Sequence, residues 1–342
     1  MAGKRVRDLG IHVGQFGTGP RNTIADVEGV RGGHADVSEK GLLTGLTAVV
    51  PCNPSAGRRK LFLGRWALDG GADLSGLQVA EDFGTLSGPI VLAPAPGFGG
   101  IYNGVISYGY QRYTALPIDA GWPPVVIGVN DRFLNDPRAE TEIGEAELAR
   151  CLASTGEGVA EGSRGIGRGL CAFGLRGGVG TASRLAGGSV IGALVAANGG
   201  ERRSLRVNGW PVGAYLDLPE PEGDRPRSAF AVVATDAPMR PDQLGRLAER
   251  AALGLVRGGF IDGWVSEGQV LAFSTGNVLV RESGPVLEIR MVGEKDLPPL
   301  FEAAGEAADE AGLNALLAAE PASGLEVLSP DRLRMALERA RG

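Results

Sequence analysis

The chain has 342 residues, 43% of them hydrophobic and 22% charged, the composition of a globular protein rather than a disordered or fibrous one. A net charge of −6 gives no electrostatic footprint for nucleic acid, and no basic amphipathic stretch or long apolar run argues for a membrane. The first residues, MAGKRVRDLGIHVG, are basic without an apolar h-region, so a cytoplasmic chain without a signal peptide is expected.

Histidine occurs only at His12 and His34, amid glycines, where turn or core hydrogen bonding is the ordinary reading. This scarcity weakens any Ser-His-Asp triad, and no HExxH or CxxC spacing supports zinc. Cys52, Cys151 and Cys171 are odd in number and widely spaced, which suits reduced, buried thiols. Short apolar runs at 47–51 (TAVVP), 89–94 (PIVLAP) and 123–129 (PPVVIGV) read as strands. Between the last two lies GFGGIY (97–102), with Asp119 about twenty residues on, an arrangement that invites a dinucleotide site. The third glycine position holds Tyr102, however, and NGVISYGY starts no convincing helix. The acidic stretch 140–154 reads as one helix.

A glycine-dense tract over 161–200 is too apolar for a linker and reads as strands joined by tight turns, with SVIGALVAA (189–197) buried. Its GLRGGVGTASR (174–184) has no Walker lysine and reads as a structural turn or a backbone nest. Residues 241–259 form the clearest helix. Leu244, Leu247, Ala248, Ala251 and Leu255 share one face, Pro241 starts it and Gly258–Gly259 ends it. Further helices are expected at about 299–319 and 331–341. Strands and helices mix throughout with no composition break, so an α/β sandwich in a single domain, 1–342, is expected.

Ser228 stands on a seam. Upstream, LPEPEGDRPR (218–227) is proline-rich and charged, and reads as exposed and mobile; downstream, 229–234 is a continuous apolar run. A serine there can simply begin a strand. It can also be a nucleophile, and with histidine nearly absent its base must come from elsewhere. One chemical solution is its own α-amino group, freed by cleavage of Arg227–Ser228, since such an amine titrates near pH 8.

The stretch SAFAVVATDAPMRPDQLGRLAERAALGLVRGG resembles the core motif of the DmpA family, the L-aminopeptidase/D-esterases and β-peptidyl aminopeptidases, which are N-terminal-nucleophile serine peptidases. RNTIADVEGVRGGH (21–34), TGLTAVVP (44–51), FLND (133–136), GLRGGVGTASR, LAFST (271–275) and DEAGLNALLAA (309–319) have counterparts in the same order. The resemblance implies a four-layer α/β/β/α sandwich of the type shared with ornithine acetyltransferases. It also implies a homotetramer and self-cleavage into an N-terminal (alpha) segment, 1–227, and a C-terminal (beta) segment, 228–342. Small peptides, amides or esters would be the substrates, with no cofactor or metal. Ser228 would be the nucleophile, Asn198 the oxyanion-holding amide and Ser266 the partner of the nucleophile's amine. Thr235 and Asp236 read as a strand-end turn and cap.

Four positions depart from the family pattern. Arg227 stands where Gly or Asn precedes the nucleophile. In VVIGVNDRFLND (125–136), Gly128 replaces the glutamate that grips the substrate's ammonium, and Asn130 replaces a tyrosine that assists the oxyanion. Ser266–Glu267–Gly268 replaces SGE or SGD. The carboxylate has therefore moved by one residue, which on a regular strand points it to the opposite face unless the backbone bulges. Two alternatives accompany the hydrolase reading: an uncut, non-catalytic scaffold on the same fold, and a nucleotide-dependent enzyme using GFGGIY.

Overall fold

The computed structural model describes residues 5–51, 59–112, 124–261, 266–280, 284 and 286–342; Cys52 and Asp119 lie outside them. The first half of the chain supplies β1 (Arg31–Val37), β2 (Thr44–Val50), β3 (Arg59–Gly70), α1 (Leu77–Phe83), β4 (Thr85–Leu86), β5 (Ile90–Pro94), α2 (Phe98–Arg112), β6 (Val125–Val129), α3 (Pro137–Glu140) and α4 (Glu145–Ala153). The second half supplies β7 (Cys171–Ala172), β8 (Leu175–Arg176), β9 (Gly178–Ala186), β10 (Ser189–Asn198), β11 (Ser228–Thr235), α5 (Pro241–Gly258), β12 (Glu267–Val280), α6 (Pro298–Leu317) and α7 (Pro330–Arg341).

These strands form a sheet of order β1-β2-β5-β6, a larger one of order β4-β3-β12-β11-β10-β9, and the small hairpin β7-β8. Side chains alternate across each strand; in β5, β6 and β11 and most of β10 both faces are buried, so these strands read as nearly unbroken apolar runs. On β11, Phe230, Val232 and Ala234 enter the core between the sheets, whereas Ala229, Ala231 and Val233 face the core that contains α5 and α6. A third core sets Val91, Ala93 and Val126 against Ile101 and Val105 of α2 and Leu148 and Cys151 of α4. Three cores separate four layers, helix–sheet–sheet–helix, as the resemblance implies.

The expected strand at 189–197 and the helices at 241–259, 299–319 and 331–341 match β10, α5, α6 and α7. Three expectations fail. The stretch after GFGGIY does form a helix, α2, fifteen residues long. Its glycines mark the face on which another element lies close: a Cβ at Gly100 would sit 2.8 Å from the Ile143 carbonyl oxygen, and one at Gly104 3.1 Å from Glu145 Cα. Glycine lowers the apparent apolar periodicity there, which is why the helix was hard to see. The acidic stretch 140–154 is not one helix. It breaks between α3 and α4, where Gly144 precedes α4 in a backbone conformation outside the helical region and Glu147 accepts from its N–H at 2.9 Å. GLRGGVGTASR, expected as a turn or nest, is mostly strand, in β8 and β9; its glycines likewise serve packing, since a Cβ at Gly180 would collide with the Ala311 carbonyl of α6.

A buried charge cluster ties the start of the chain to α6. Arg184 of β9 is fully buried and donates to Glu306 Oε2 at 3.0 Å, Glu310 Oε2 at 2.7 Å and the Val13 carbonyl at 2.7 Å. Arg7 reaches Glu310 from the other side at 2.8 Å. Removing one cation from such a cluster leaves carboxylates buried without compensation. Arg184→Met is therefore expected to cost about 3–5 kcal/mol, read as a lower urea midpoint at unchanged slope.

Candidate active site

Ser228 is the first residue of β11 and is 1% exposed. Antiparallel pairing with β10 sets Asn198 opposite it, and parallel pairing with β12 sets Glu267 alongside it. Laterally paired residues project from the same face of a sheet. Asn198, Ser228 and Glu267 therefore form one row across three strands, at the end of the inter-sheet core marked by Phe230. The shift of the carboxylate by one residue does not carry it away from Ser228. Glu267 keeps the facing position, and the ladder irregularity falls just beyond it, between Gly268 and Gln269 in the pairing with β3.

Hydrogen bonds fix which way each group points. The Cys171 N–H donates to Asn198 Oδ1 at 3.1 Å, so the amide nitrogen must face the other way. That Nδ2 donates to the Asn130 carbonyl at 2.6 Å and to Ser228 Oγ at 3.2 Å. Asn130 Nδ2 in turn donates to Glu267 Oε1 at 3.3 Å. Burial raises the Glu267 pKa, partly offset by the Asn130 amide and the Ser228 hydroxyl beside it and by the charge of Arg132. A carboxylate less hydrated than usual is a better proton acceptor, and this one adjoins the hydroxyl.

The bond before Ser228 is held from the other side. The Arg227 carbonyl oxygen accepts from Ser266 N at 2.9 Å, from Glu267 N at 3.4 Å and from Ser266 Oγ at 3.4 Å. Three donors thus surround the oxygen that would become negative if Ser228 Oγ attacked its own upstream carbonyl. Outside lies a cavity of about 390 Å³ bounded by Asn130, Arg132, Arg225, Arg227, Ser266 and Glu267. Residues 218–227 run beside it without helix or strand and are largely exposed.

The remaining residues singled out from the sequence lie elsewhere or serve structure. Thr235 and Asp236 sit at the far end of β11, where Thr235 Oγ1 accepts from Ala237 N at 3.1 Å and Asp236 Oδ1 accepts from Val190 N at 2.8 Å. His34 lies in β1 with Nδ1 3.0 Å from Thr47 Oγ1, and burial lowers its pKa to about 4. His12 meets Arg7 at 3.0 Å. Burial pushes the Cys151 thiol up to about 12 and the Cys171 thiol to about 11, so neither is a ready thiolate near neutrality. In GFGGIY, Gly100 is taken up by the packing against the segment before α4. Gly128 lies within β6, at the free edge of the smaller sheet.

One neighbouring group had no signal in the sequence. Asp131 follows Asn130 and is buried; Thr44 Oγ1 and Asn135 Nδ2 donate to its Oδ2, the latter at 3.1 Å. The buried Glu140 carboxyl adjoins it, nine positions along the chain and across a turn, a spacing that matches no periodicity. Burial, and then the Asp131 charge, push the Glu140 pKa upward. Glu140 is thus protonated in the fold but ionises in the unfolded chain above the ordinary carboxylate range. This difference lowers stability as pH rises through that window. Glu140→Gln is expected to be at least as stable as the parent at neutral pH, with a flatter decline between about pH 5 and 8. Denaturant titrations across that range measure it.

The model of peptidase family S58 matches residues 22–328. The beta-peptidyl aminopeptidase BapA of Sphingosinicella microcystinivorans is 34% identical over 99% of this chain and 91% of its own. The beta-aminopeptidase of a Burkholderia species superposes with a TM-score of 0.91 at 36% identity, covering 98% of this chain and 99% of the other. The L-aminopeptidase D-Ala-esterase/amidase of Ochrobactrum anthropi, described as a prototype for the serine aminopeptidases and a variant of the Ntn hydrolase fold, gives 0.89 at 33% identity, covering 98% of each chain.

Proposed function

The chain belongs to peptidase family S58 and is a hydrolase of the serine-aminopeptidase type, and from that premise we propose that it matures by cutting its own Arg227–Ser228 bond and then uses Ser228 as an acyl-accepting nucleophile. The observation that carries this reading is the row Asn198–Ser228–Glu267, with the Arg227 carbonyl held by donors from Ser266 and Glu267.

In the uncut chain no amine is available at Ser228, so Glu267 serves as proton acceptor. Ser228 Oγ bonds to the Arg227 carbonyl carbon, and its proton passes through Glu267 to the Ser228 nitrogen as the C–N bond breaks. Meanwhile the Ser266 and Glu267 N–H groups and the Ser266 hydroxyl hold the negative oxygen. Water then hydrolyses the ester, leaving a carboxylate on Arg227 and a free amine on Ser228. This divides the chain into 1–227 and 228–342, two segments of what we take to be one domain.

In the mature enzyme that amine is the base. It takes the hydroxyl proton as Oγ attacks a substrate carbonyl and delivers it to the leaving amine or alcohol. Asn198 Nδ2, already aimed at Oγ, donates to the tetrahedral oxyanion, with Asn130 behind it; Ser266 and Glu267 hold the amine. Water releases the acid. Small peptides, amides or esters are the proposed substrates, and every step uses protein groups and water without a cofactor. The family match and the aminopeptidase relatives favour a hydrolase over a non-catalytic scaffold.

The same proposal includes a cytoplasmic location and self-association, as a tetramer by the resemblance. No helix among the described residues is long and apolar enough to cross a membrane. Val286, Leu287, Ile289 and Met291 expose apolar side chains, Val286 by 79%, on a segment without helix or strand, and this supports association.

Intact-mass measurement on denatured protein should give two fragments meeting at Arg227/Ser228, and Ser228→Ala should give one uncut chain without peptidase activity. Uncut wild-type protein with full activity would overturn the reading. Asn198→Ala should lower kcat by about 100- to 1,000-fold, the usual cost of losing one oxyanion donor.

A further inference from the structure

An enzyme that acts on substrates with a free amine must hold a cation at a fixed place beside the scissile carbonyl, and a carboxylate is the ordinary means. At Gly128 the sequence offers none. Glu267 is engaged with Ser228 and Asn130, and Asp224 pairs with Arg132 at 3.2 Å.

The segment after β3 supplies another. The Gly71 N–H donates to the Ser266 carbonyl at 3.1 Å, and a Cβ on Gly71 would lie 3.5 Å from Glu267 Cγ. The chain then crosses to the free edge of β6. There Leu74 pairs antiparallel with Ile127, Gly128 N–H donates to the Asp73 carbonyl at 2.8 Å, and Ser75 N–H donates to the Val126 carbonyl at 3.1 Å. This register sets Asp73 directly opposite Gly128, so their side-chain positions share a face. A Cβ at 128 would sit only 2.9 Å from Asp73 Cβ. The Asp73 charge is also felt at Glu267, whose pKa it helps to raise. Among the described residues, the exposed Asp73 carboxylate has no hydrogen-bond or ion-pair partner.

We propose that Asp73, reaching across from the segment paired with β6, is the residue that binds the substrate's ammonium group, in place of a side chain at Gly128. Asp73 is thus a specificity residue for acyl donors with a free amine. The assignment rests on the aminopeptidase reading above.

The test uses matured wild-type and variant enzymes, each checked by intact mass, with β-alanine p-nitroanilide and alanine p-nitroanilide as probes. Asp73→Asn should raise KM by about 10- to 100-fold, the usual weight of a charged contact, with kcat little changed. Asp73→Gly should do the same, and adding Gly128→Glu to it should bring KM back down, because the carboxylate returns to the shared face from the other strand. An unchanged KM, a loss confined to kcat, a failure of Asp73→Asn to self-cleave, or a double variant as weak as Asp73→Gly would each overturn the assignment. Wild-type enzyme that is uncut and turns over neither probe is a different failure: it removes the aminopeptidase reading and this assignment with it.

Discussion

Everything at the site depends on the register of three neighbouring strands. β11 is held between an antiparallel partner, β10, and a parallel partner, β12, and the two ladders fix Asn198, Ser228 and Glu267 in one row. A slip of one residue on either side would turn the amide or the carboxylate to the opposite face. Such a slip would also turn Leu194 and Ala196 of β10, or Leu271 and Phe273 of β12, out of the inter-sheet core. Core packing therefore sets the geometry of the candidate site, and its hydrogen bonds only refine it.

Burial has a second effect there. Ser228 and Asn198 are almost fully enclosed, so their few hydrogen bonds act in a medium that screens them weakly. The Asn198 amide cannot flip, because its oxygen is taken by Cys171 N–H. Glu267 is partly desolvated, which raises its basicity beside a hydroxyl that needs a base. The proposed mechanism does without histidine, since in it an amine and a carboxylate divide the proton work between the uncut and the mature states.

The rest of the molecule supports this row from a distance. Glycines let α2 lie close to the segment before α4, and α6 close to β9, so the layers stack without gaps at those crossings. The Arg184 cluster fastens the residues before β1 to α6. Asp131 and Glu140 lie just behind Asn130, and the extended segment from Gly71 to Ser75 ties the rim of one sheet to the other.

Much of this was legible in the sequence. The apolar run after Ser228, SVIGALVAA and the amphipathic α5 announced their structures, because burial on both faces or on one stripe leaves a periodic trace. The ordered motifs identified the family, and Ser228 and Asn198 followed from them. Other features had no local trace. The helix α2 was hidden because glycine replaced the apolar side chains where its neighbour comes close, and the Asp131–Glu140 pair joins residues with no characteristic spacing. Glu267 could be weighed only as an alternative, since strand alternation alone does not say which residue begins the ladder. Asp73 could not be found at all, because what matters is its place opposite Gly128 across an edge pairing more than fifty positions distant in the chain. Sequence records what each residue buries; only tertiary structure decides which distant residues share a face, because that is settled by register between strands and not by order along one.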